Sequence, residues 1–497
     1  MKTKFTLFTF VLISFFGYLK AQNTTYLPSE DFNLTINNIS NQNPTILPTT
    51  SPQMSIQSTI DPVLADSLQA ALERAVGELD PIGLSVAVNF GEGDVWAAAS
   101  GISSDTDTLG THHVFPVGSV SKTITSACIL SMVDEGLLSL DDTVGTWISG
   151  YAEIDGGIKV YQLLNHTSGI YNFTNHPNYG PTINNTLATT YSMTQMLDNF
   201  LDAPYFDAGE GWEYSNTNYL LLGLIIESLS GEDYHTATRE RVLAPFGFDE
   251  IVLLPQESSV GPIADVWQQA PGQDPINISE LVPLTAVYSS ASAAGAYAAT
   301  PTDISEWVRQ LYTGAILGIP TTDLMYDYNV NIGGNTEYGL GVITAPISEE
   351  HTLIGHEGAI IYTSFVYYIP EKDVSFAIHT NDGTKAVDLA AAFFELYNEC
   401  VEYQLAINNE TVVPSIDFNL HPNPVDDQFF ISFDSQQYQT IQLNLYHANG
   451  QLVRTLHREA AAGVQALNMD VSDLSGGVYF LELMTEEGVG NKAVIIK

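Results

Sequence analysis

Positive charge is what this chain most lacks. Its 497 residues carry 15 Lys and Arg against 58 Asp and Glu, a formal net charge of −43. Such a surface repels phosphate backbones and anionic headgroups, which excludes nucleic acids and acidic membranes as partners. Self-repulsion of this size is relieved by screening, so a saline medium suits the chain. Cysteine is nearly absent, with Cys128 and Cys400 alone. That excludes a disulfide-built scaffold. Cys128 falls among Ile124, Ala127, Ile129 and Leu130, where a small buried hydrophobe is expected although export would permit a disulfide. No Cys or His cluster has zinc-ligand spacing, so neither metal nor cofactor is expected. Beyond the N-terminal segment no stretch is apolar enough to span a bilayer, and no stable membrane insertion is expected.

What is present begins with an export signal. Lys2 and Lys4 precede an apolar run from Phe5 to Tyr18, and the small Ala21 offers a cleavage point, so residues 1–21 read as a signal peptide. Residues 22–60, rich in Asn, Thr, Pro and Ser, read as a disordered leader. A helix is predicted over Pro62–Leu79, capped by Asp61, followed by strands Gly83–Phe90 and Asp94–Ser100 around the turn Gly91-Glu92-Gly93. Another helix starts at Ser119 and stops at Gly136. Residues 140–310 are mostly helical segments and loops, with Leu220–Leu229 and Thr302–Leu311 the clearest helices. Strands Thr352–Gly355, Thr363–Ile369 and Val374–His379 precede a closing helix from Lys385 to about Tyr403. This order predicts an α+β domain over residues 61–405, a sheet flanked by helices and interrupted by a helical insertion. Residues 406–416 read as a linker, and the short alternating strands of 417–497 as a small β-sandwich.

One of the few lysines stands three residues after a serine, in Ser119-Val120-Ser121-Lys122. Serine is a poor nucleophile until a base takes its proton. At the start of a helix, Lys122 lies one turn beyond Ser119 on nearly the same face. The helix N-terminus also directs backbone N–H groups at developing negative charge. A capped helix followed by a surface lysine is the plain alternative. Tyr214-Ser215-Asn216 is the single Tyr-x-Asn among 25 tyrosines, and His356-Glu357-Gly358 the single His-x-Gly among 11 histidines. Gly358 permits close backbone approach at what reads as a strand end.

Taken in this order, the three motifs resemble the penicillin-recognising serine hydrolases: class C β-lactamases, D-alanyl-D-alanine carboxypeptidases, D-aminopeptidases and related esterases. Supporting runs are Phe115-Pro116-Val117-Gly118, Asp134-Glu135-Gly136-Leu137-Leu138 and Leu163-Leu164-Asn165-His166-Thr167-Ser168-Gly169. The resemblance implies a β-lactamase/transpeptidase-like antiparallel sheet and an acyl-enzyme on Ser119. It implies proton transfer shared by Lys122 and Tyr214, with Asn216, His356, Gly358 and Ala359 binding substrate. The N–H groups of Ser119 and Ala359 would form the oxyanion hole. Either Lys122 or Tyr214 can serve as base, since each needs its pKa lowered from about 10 and the two titrate as a coupled pair. His356 stands where many relatives have lysine. A charged His356 would hold a substrate carboxylate, and activity would then fall as pH rises through its pKa. Ala293-Ala294-Gly295-Ala296 departs from a run usually richer in glycine.

The expected substrates are D-amino-acid peptides first, small esters second and β-lactams third, chosen by the Tyr171–Thr190 loop and residues 255–290. A catalytically silent protein that binds peptidoglycan fragments is the rival. No Gly-x-Ser-x-Gly elbow or second zinc-protease histidine is present. Leu420-His421-Pro422-Asn423-Pro424-Val425-Asp426-Asp427 and Leu474-Ser475-Gly476-Gly477-Val478-Tyr479 resemble a type IX secretion sorting domain. That resemblance implies a secretion machinery as partner and a secreted or cell-surface location. A carbohydrate-binding sandwich is the alternative for this segment.

Overall fold

The computed structural model describes residues 55–269, 274–410, 416–447, 452–485 and 488–497. The expected signal peptide and most of the expected leader lie outside these. Two compact units, Met1–Glu399 and Cys400–Lys497, divide the chain.

In the first unit β1 (Ser55–Ser58) pairs antiparallel with a later strand, Ser55 opposite Ala99. The expected disordered leader is therefore corrected at its end: 55–58 is an edge strand, because its backbone groups find an open sheet edge that no local pattern announces. Asp61 then accepts a hydrogen bond from the Val63 N–H and Pro62 occupies the first turn, which starts α1 (Pro62–Leu79). Strands β2 (Gly83–Asn89) and β3 (Val95–Gly101) are buried throughout.

A short 3-10 turn, Gly118–Val120, leads into α2 (Ser121–Asp134), so Ser119 sits on the turn rather than in the helix proper. The insertion contains α3 (Asn216–Ser230) and α4 (Pro301–Tyr312). Three strands absent from the sequence reading follow: β4 (Val330–Gly333), β5 (Thr336–Tyr338) and β6 (Ile343–Pro346). They are short and interrupted by Gly, Asn and Pro, which read as loop, and they exist by pairing with one another and with the next strand. β7 (Thr352–Ile360), β8 (Tyr362–Ile369) and β9 (Val374–Thr380) close the sheet. His356 lies inside β7, not at a strand end, because Val366 of β8 stands directly opposite it and pairing continues to Ile360.

Among the described residues the nine strands run β1-β3-β2-β9-β8-β7-β6-β5-β4, all antiparallel. Ser375 of β9 donates to the Ser305 carbonyl on α4, while the neighbouring Phe376 meets Phe393 of α5 (Leu389–Glu410). Alternate strand residues face opposite sides, so α4 and α5 cover opposite faces of the sheet. Arg74 of α1 binds Glu395 and Glu399 of α5, which puts both terminal helices on one face. The closing helix continues to Glu410, so the first half of the expected 406–416 linker is helical. Cys128 and Cys400 are both buried, and neither is in a disulfide.

The second unit has a sheet β10-β11-β14 (Asn419–His421, Gln428–Ser435, Gly463–Asp470) and a sheet β13-β12-β15-β16 (Leu452–Ala460, Gln439–His447, Gly477–Thr485, Gly488–Ile496). Phe429, Ile431, Leu443, Leu445 and Leu481 from both sheets form one core, as a sandwich requires.

The 3-10 turn touches β7 without intervening side chains. Gly118 has φ +56°, and a Cβ there would lie 2.5 Å from the Ala359 nitrogen; a Cβ on Gly358 would lie 1.9 Å from the Val117 carbonyl oxygen. Gly118→Ala is therefore expected to cost about 1–3 kcal/mol through overpacking and left-handed strain. Thermal unfolding of the first unit measures this, and an unchanged midpoint would refute the close approach.

Candidate active site

Two side chains from distant parts of the chain meet at the Ser119 hydroxyl. The Lys122 Nζ donates to Ser119 Oγ at 2.9 Å, and the Tyr214 hydroxyl donates to the same oxygen at 2.8 Å. Ser119 is 8% exposed while Lys122 is 0% exposed, so the hydroxyl is reachable and the amine is sealed behind it. Lys122 also donates to Asn216 Oδ1 at 2.8 Å and to the Ala294 carbonyl at 2.7 Å. Its Nζ lies 4.9 Å from the ring centre of Tyr214 and 5.3 Å from that of Tyr219. A buried amine surrounded in this way has its polar contacts supplied by protein instead of water.

Each contact has a local cause. Lys122 reaches back one helical turn to the residue on the 3-10 turn. Ser292 is held at φ +40° just before Ala294, in a short 3-10 segment 292–294. That sparsely populated conformation accompanies a loop whose carbonyls point at α2: Ala293 accepts from Thr125 and Ala294 from Lys122. Asn216 opens α3, and its N–H donates to Asn172 Oδ1 at 3.0 Å. The hydroxyls of Ser215 and Thr217 both donate to the Tyr171 carbonyl. The start of the Tyr171–Thr190 loop is thereby tied to the site. In the 255–290 stretch, Trp267–Gln268 pairs with Ile276–Asn277 in a separate two-stranded ribbon.

On the other side of Ser119 stands β7. The Ser119 nitrogen is 3.0 Å from where a Cβ of Gly358 would be, so this strand and the 3-10 turn share one edge of the site. Ser119 lies on the 3-10 turn that precedes α2, at the end of that helix where N–H groups lack partners within it.

His356 is fully buried. Its Nε2 meets the Tyr338 hydroxyl at 2.9 Å, and its Nδ1 faces the Glu357 carbonyl. Burial and the neighbouring Lys122 push its pKa down to about 3. Burial and the nearby Lys122 thus both disfavour a charge on this imidazole, which runs against a charged His356 as the holder of a substrate carboxylate. Asn216 Oδ1 accepts from Lys122, and its Nδ2 lies 3.4 Å from Thr174 Oγ1.

Sequence reasoning missed the Ala294 carbonyl, Tyr338 and the part played by His166. The first is backbone, on which side-chain identity is silent. Tyr338 lies on a strand too short to be read. His166 was noticed only as part of a run; its φ of +63° is the backbone signature of a constrained position. It is fully buried, with a pKa pushed well below the usual value by burial and then by Lys122. Among the described residues, no cluster of His, Cys, Asp and Glu could hold a metal, and no helix is long and apolar enough to cross a membrane.

The geometry can be set beside known proteins. The sequence model of the Beta-lactamase family matches residues 68–396, and that of the secretion system C-terminal sorting domain matches residues 419–497. Penicillin-binding protein 4* of Bacillus subtilis is 33% identical over 147 residues, covering 29% of this chain and 31% of that protein. Penicillin-binding protein 4 of Amycolatopsis lactamdurans is 32% identical over 189 residues, covering 35% of this chain and 46% of that protein. The chain thus spans less than half the length of these curated relatives. Among solved structures, a D-stereospecific amidohydrolase from Streptomyces sp. is 28% identical with a TM-score of 0.58, covering 66% of this chain and 97% of that one. The D-amino acid amidase of Ochrobactrum anthropi SV3, in complex with L-phenylalanine amide, shares the fold with a TM-score of 0.61 at 23% identity, covering 69% of this chain and 99% of that one. The family match covers most of the chain and contains all three motifs that meet at Ser119: the protein belongs to the Beta-lactamase family and ends in a secretion sorting domain.

Proposed function

We propose that this protein is an exported serine hydrolase that forms an acyl-enzyme on Ser119 and acts on amides or esters, with D-amino-acid amides and peptides the first substrate class. The observation that carries this reading is the Ser119 hydroxyl held at 2.9 Å by Lys122 and 2.8 Å by Tyr214. The fold shared with D-specific amidases supports the substrate class.

In the amine form Lys122 has two N–H groups and one lone pair. Asn216 Oδ1 and the Ala294 carbonyl accept the two N–H bonds, which leaves the lone pair for the Ser119 O–H. On this reading Lys122 takes the serine proton as Oγ attacks the substrate carbonyl carbon. The carbonyl electron pair moves onto oxygen, where the N–H groups of Ser119 and Ala359 stabilise it. Loss of one such donor costs roughly 3 kcal/mol of transition-state stabilisation. Collapse of the adduct breaks the bond to the leaving amine or alkoxide, which receives a proton from the Tyr214 hydroxyl, and the proton that Lys122 took from Ser119 passes to the Tyr214 oxygen. Water then repeats the sequence on the acyl-enzyme and frees Ser119.

Charge bears on substrate choice. A neutral His356 offers nothing to a free carboxylate. Arg74, Lys159, Arg239, Arg241, Arg309 and Lys385 are each bound by an acidic side chain of their own. Uncharged amides and esters are therefore favoured over peptides ending in a free carboxylate, which places carboxypeptidase action behind amidase and esterase action. The sorting domain supports export to the surface or medium, with a type IX secretion machinery as partner.

Incubation with a fluorophosphonate should add one label to Ser119, read by mass spectrometry. No label on the folded protein would favour a silent binding protein. Lys122→Ala should lower kcat/KM by about 10³-fold or more, as loss of a nucleophile's base does elsewhere. In a panel of D-alanyl amides, short esters, D-alanyl-D-alanine peptides and a chromogenic cephalosporin, the amides and esters should be turned over fastest. Faster release of a terminal D-alanine with its free carboxylate would overturn the charge argument. The kcat/KM profile should show no step near pH of about 6.5 that disappears in His356→Gln; such a step would restore a titrating histidine.

A further inference from the structure

Behind Tyr214 lies a line of three polar side chains from three distant parts of the chain. The Tyr338 hydroxyl is 3.2 Å from His166 Nε2 and 2.9 Å from His356 Nε2. His166, Tyr338 and His356 are all buried. The two outer ends of this line dictate its direction. At one end the backbone N–H of Ser215 donates to His166 Nδ1 at 3.2 Å. The side chain of Asn218 stands 3.3 Å from the same nitrogen, and its Oδ1 is already taken by the Ser168 hydroxyl, which leaves its NH₂ toward the ring. A nitrogen that receives N–H donors carries no proton, so the proton of neutral His166 is on Nε2 and is donated to Tyr338. At the other end His356 Nδ1 faces the Glu357 carbonyl, which only accepts. The proton of His356 is therefore on Nδ1, and its Nε2 accepts from the Tyr338 O–H.

We infer that Tyr338 is a positioning residue that locks His166 and His356 as neutral imidazoles of opposite tautomer and, through their rings, seats Tyr214 against Ser119. The Tyr214 ring centre is 4.3 Å from that of His166, 6.2 Å from that of Tyr338 and 6.4 Å from that of His356. Every polar atom of both imidazoles is used within this chain of bonds. His356 thus has no ring nitrogen to offer a substrate, and its place in the His-x-Gly motif is that of a support for the strand carrying Gly358 and Ala359. The direction of the bonds also opposes a second proton. A proton on His356 Nε2 would confront a Tyr338 O–H already aimed at it, while the Tyr338 oxygen already accepts from His166. One buried donor would lose its acceptor. The other titratable groups facing the line act in the same sense or stay neutral. Lys122 repels charge on both histidines, while Tyr214, Tyr219 and Tyr312 surround Tyr338, Tyr219 within hydrogen-bonding reach of its hydroxyl.

The tautomers follow from geometry alone; the seating of Tyr214 for proton transfer rests on the proposed acyl-enzyme. Two measurements keep these apart. The first is the ¹⁵N spectrum of the full chain labelled at histidine, with His166 and His356 assigned by their loss in His166→Gln and His356→Gln. The wild type should show His166 protonated at Nε2 and His356 at Nδ1, neither gaining a proton between pH values of about 5 and 8. His356 protonated at Nε2, or either ring titrating in that window, overturns the inference without reference to activity. The second is the fluorophosphonate labelling rate of Tyr338→Phe, which keeps the ring and deletes the hydroxyl. The rate should fall about tenfold, the equivalent of one lost hydrogen bond, and the His356 resonances should move. A Tyr338→Phe protein with unchanged resonances and unchanged labelling rate overturns the inference. Failure of the wild type to label at all would instead sink the acyl-enzyme reading and leave the tautomer result standing.

Discussion

The structure around Ser119 depends on one buried lysine. An ammonium or amine removed from water needs its hydrogen-bond partners supplied, and leaving them unmet is far more costly than any single gain from placing it there. Lys122 obtains oxygens from Ser119 on the 3-10 turn, Asn216 at the head of α3 and Ala294 in the loop before α4. Those three segments are far apart in sequence. Meeting at one nitrogen, they fix the helical insertion against α2 and seal Lys122, while Ser119 keeps 8% of its surface exposed.

The sheet supplies the opposite wall. Gly118 and Gly358 let two backbones touch, which brings the Ala359 amide beside the turn that carries Ser119. A side chain at either glycine would occupy the space of the neighbouring main chain. The aromatic and imidazole rings behind Tyr214 complete the enclosure, and the burial that holds them neutral is the same burial that seals Lys122. Acidity at the surface and neutrality in the site are therefore separate design features: carboxylates pair with many of the exterior cations, as Asp141 does with Lys159 and Glu135 with Arg241.

Much of this was legible beforehand. Asp61-Pro62 announced α1, the Gly-Glu-Gly turn announced the β2–β3 hairpin, and the dense apolar run of Leu220–Leu229 announced α3. The order of Ser119-x-x-Lys122, Tyr214-x-Asn216 and His356-x-Gly358 named the segments that would meet. What escaped were β1 and β4–β6, whose short polar sequences form strands only because a sheet edge is waiting for them. The length of β7 escaped for a related reason: Glu and Gly suppress the strand pattern locally, and pairing with β8 overrides it.

Taken alone, the amino-acid sequence determined which segments meet at Ser119, the two-unit organisation and the sorting domain that marks the protein for export, because residue type, spacing and charge are properties of the chain itself. It could not determine protonation. Whether His356 is a cation or a neutral support depends on how much water reaches it, on the distance to Lys122 and on the hydroxyl of Tyr338 eighteen residues away. Those quantities exist only after the strands have paired and the insertion has closed over them, and the tertiary structure decided them.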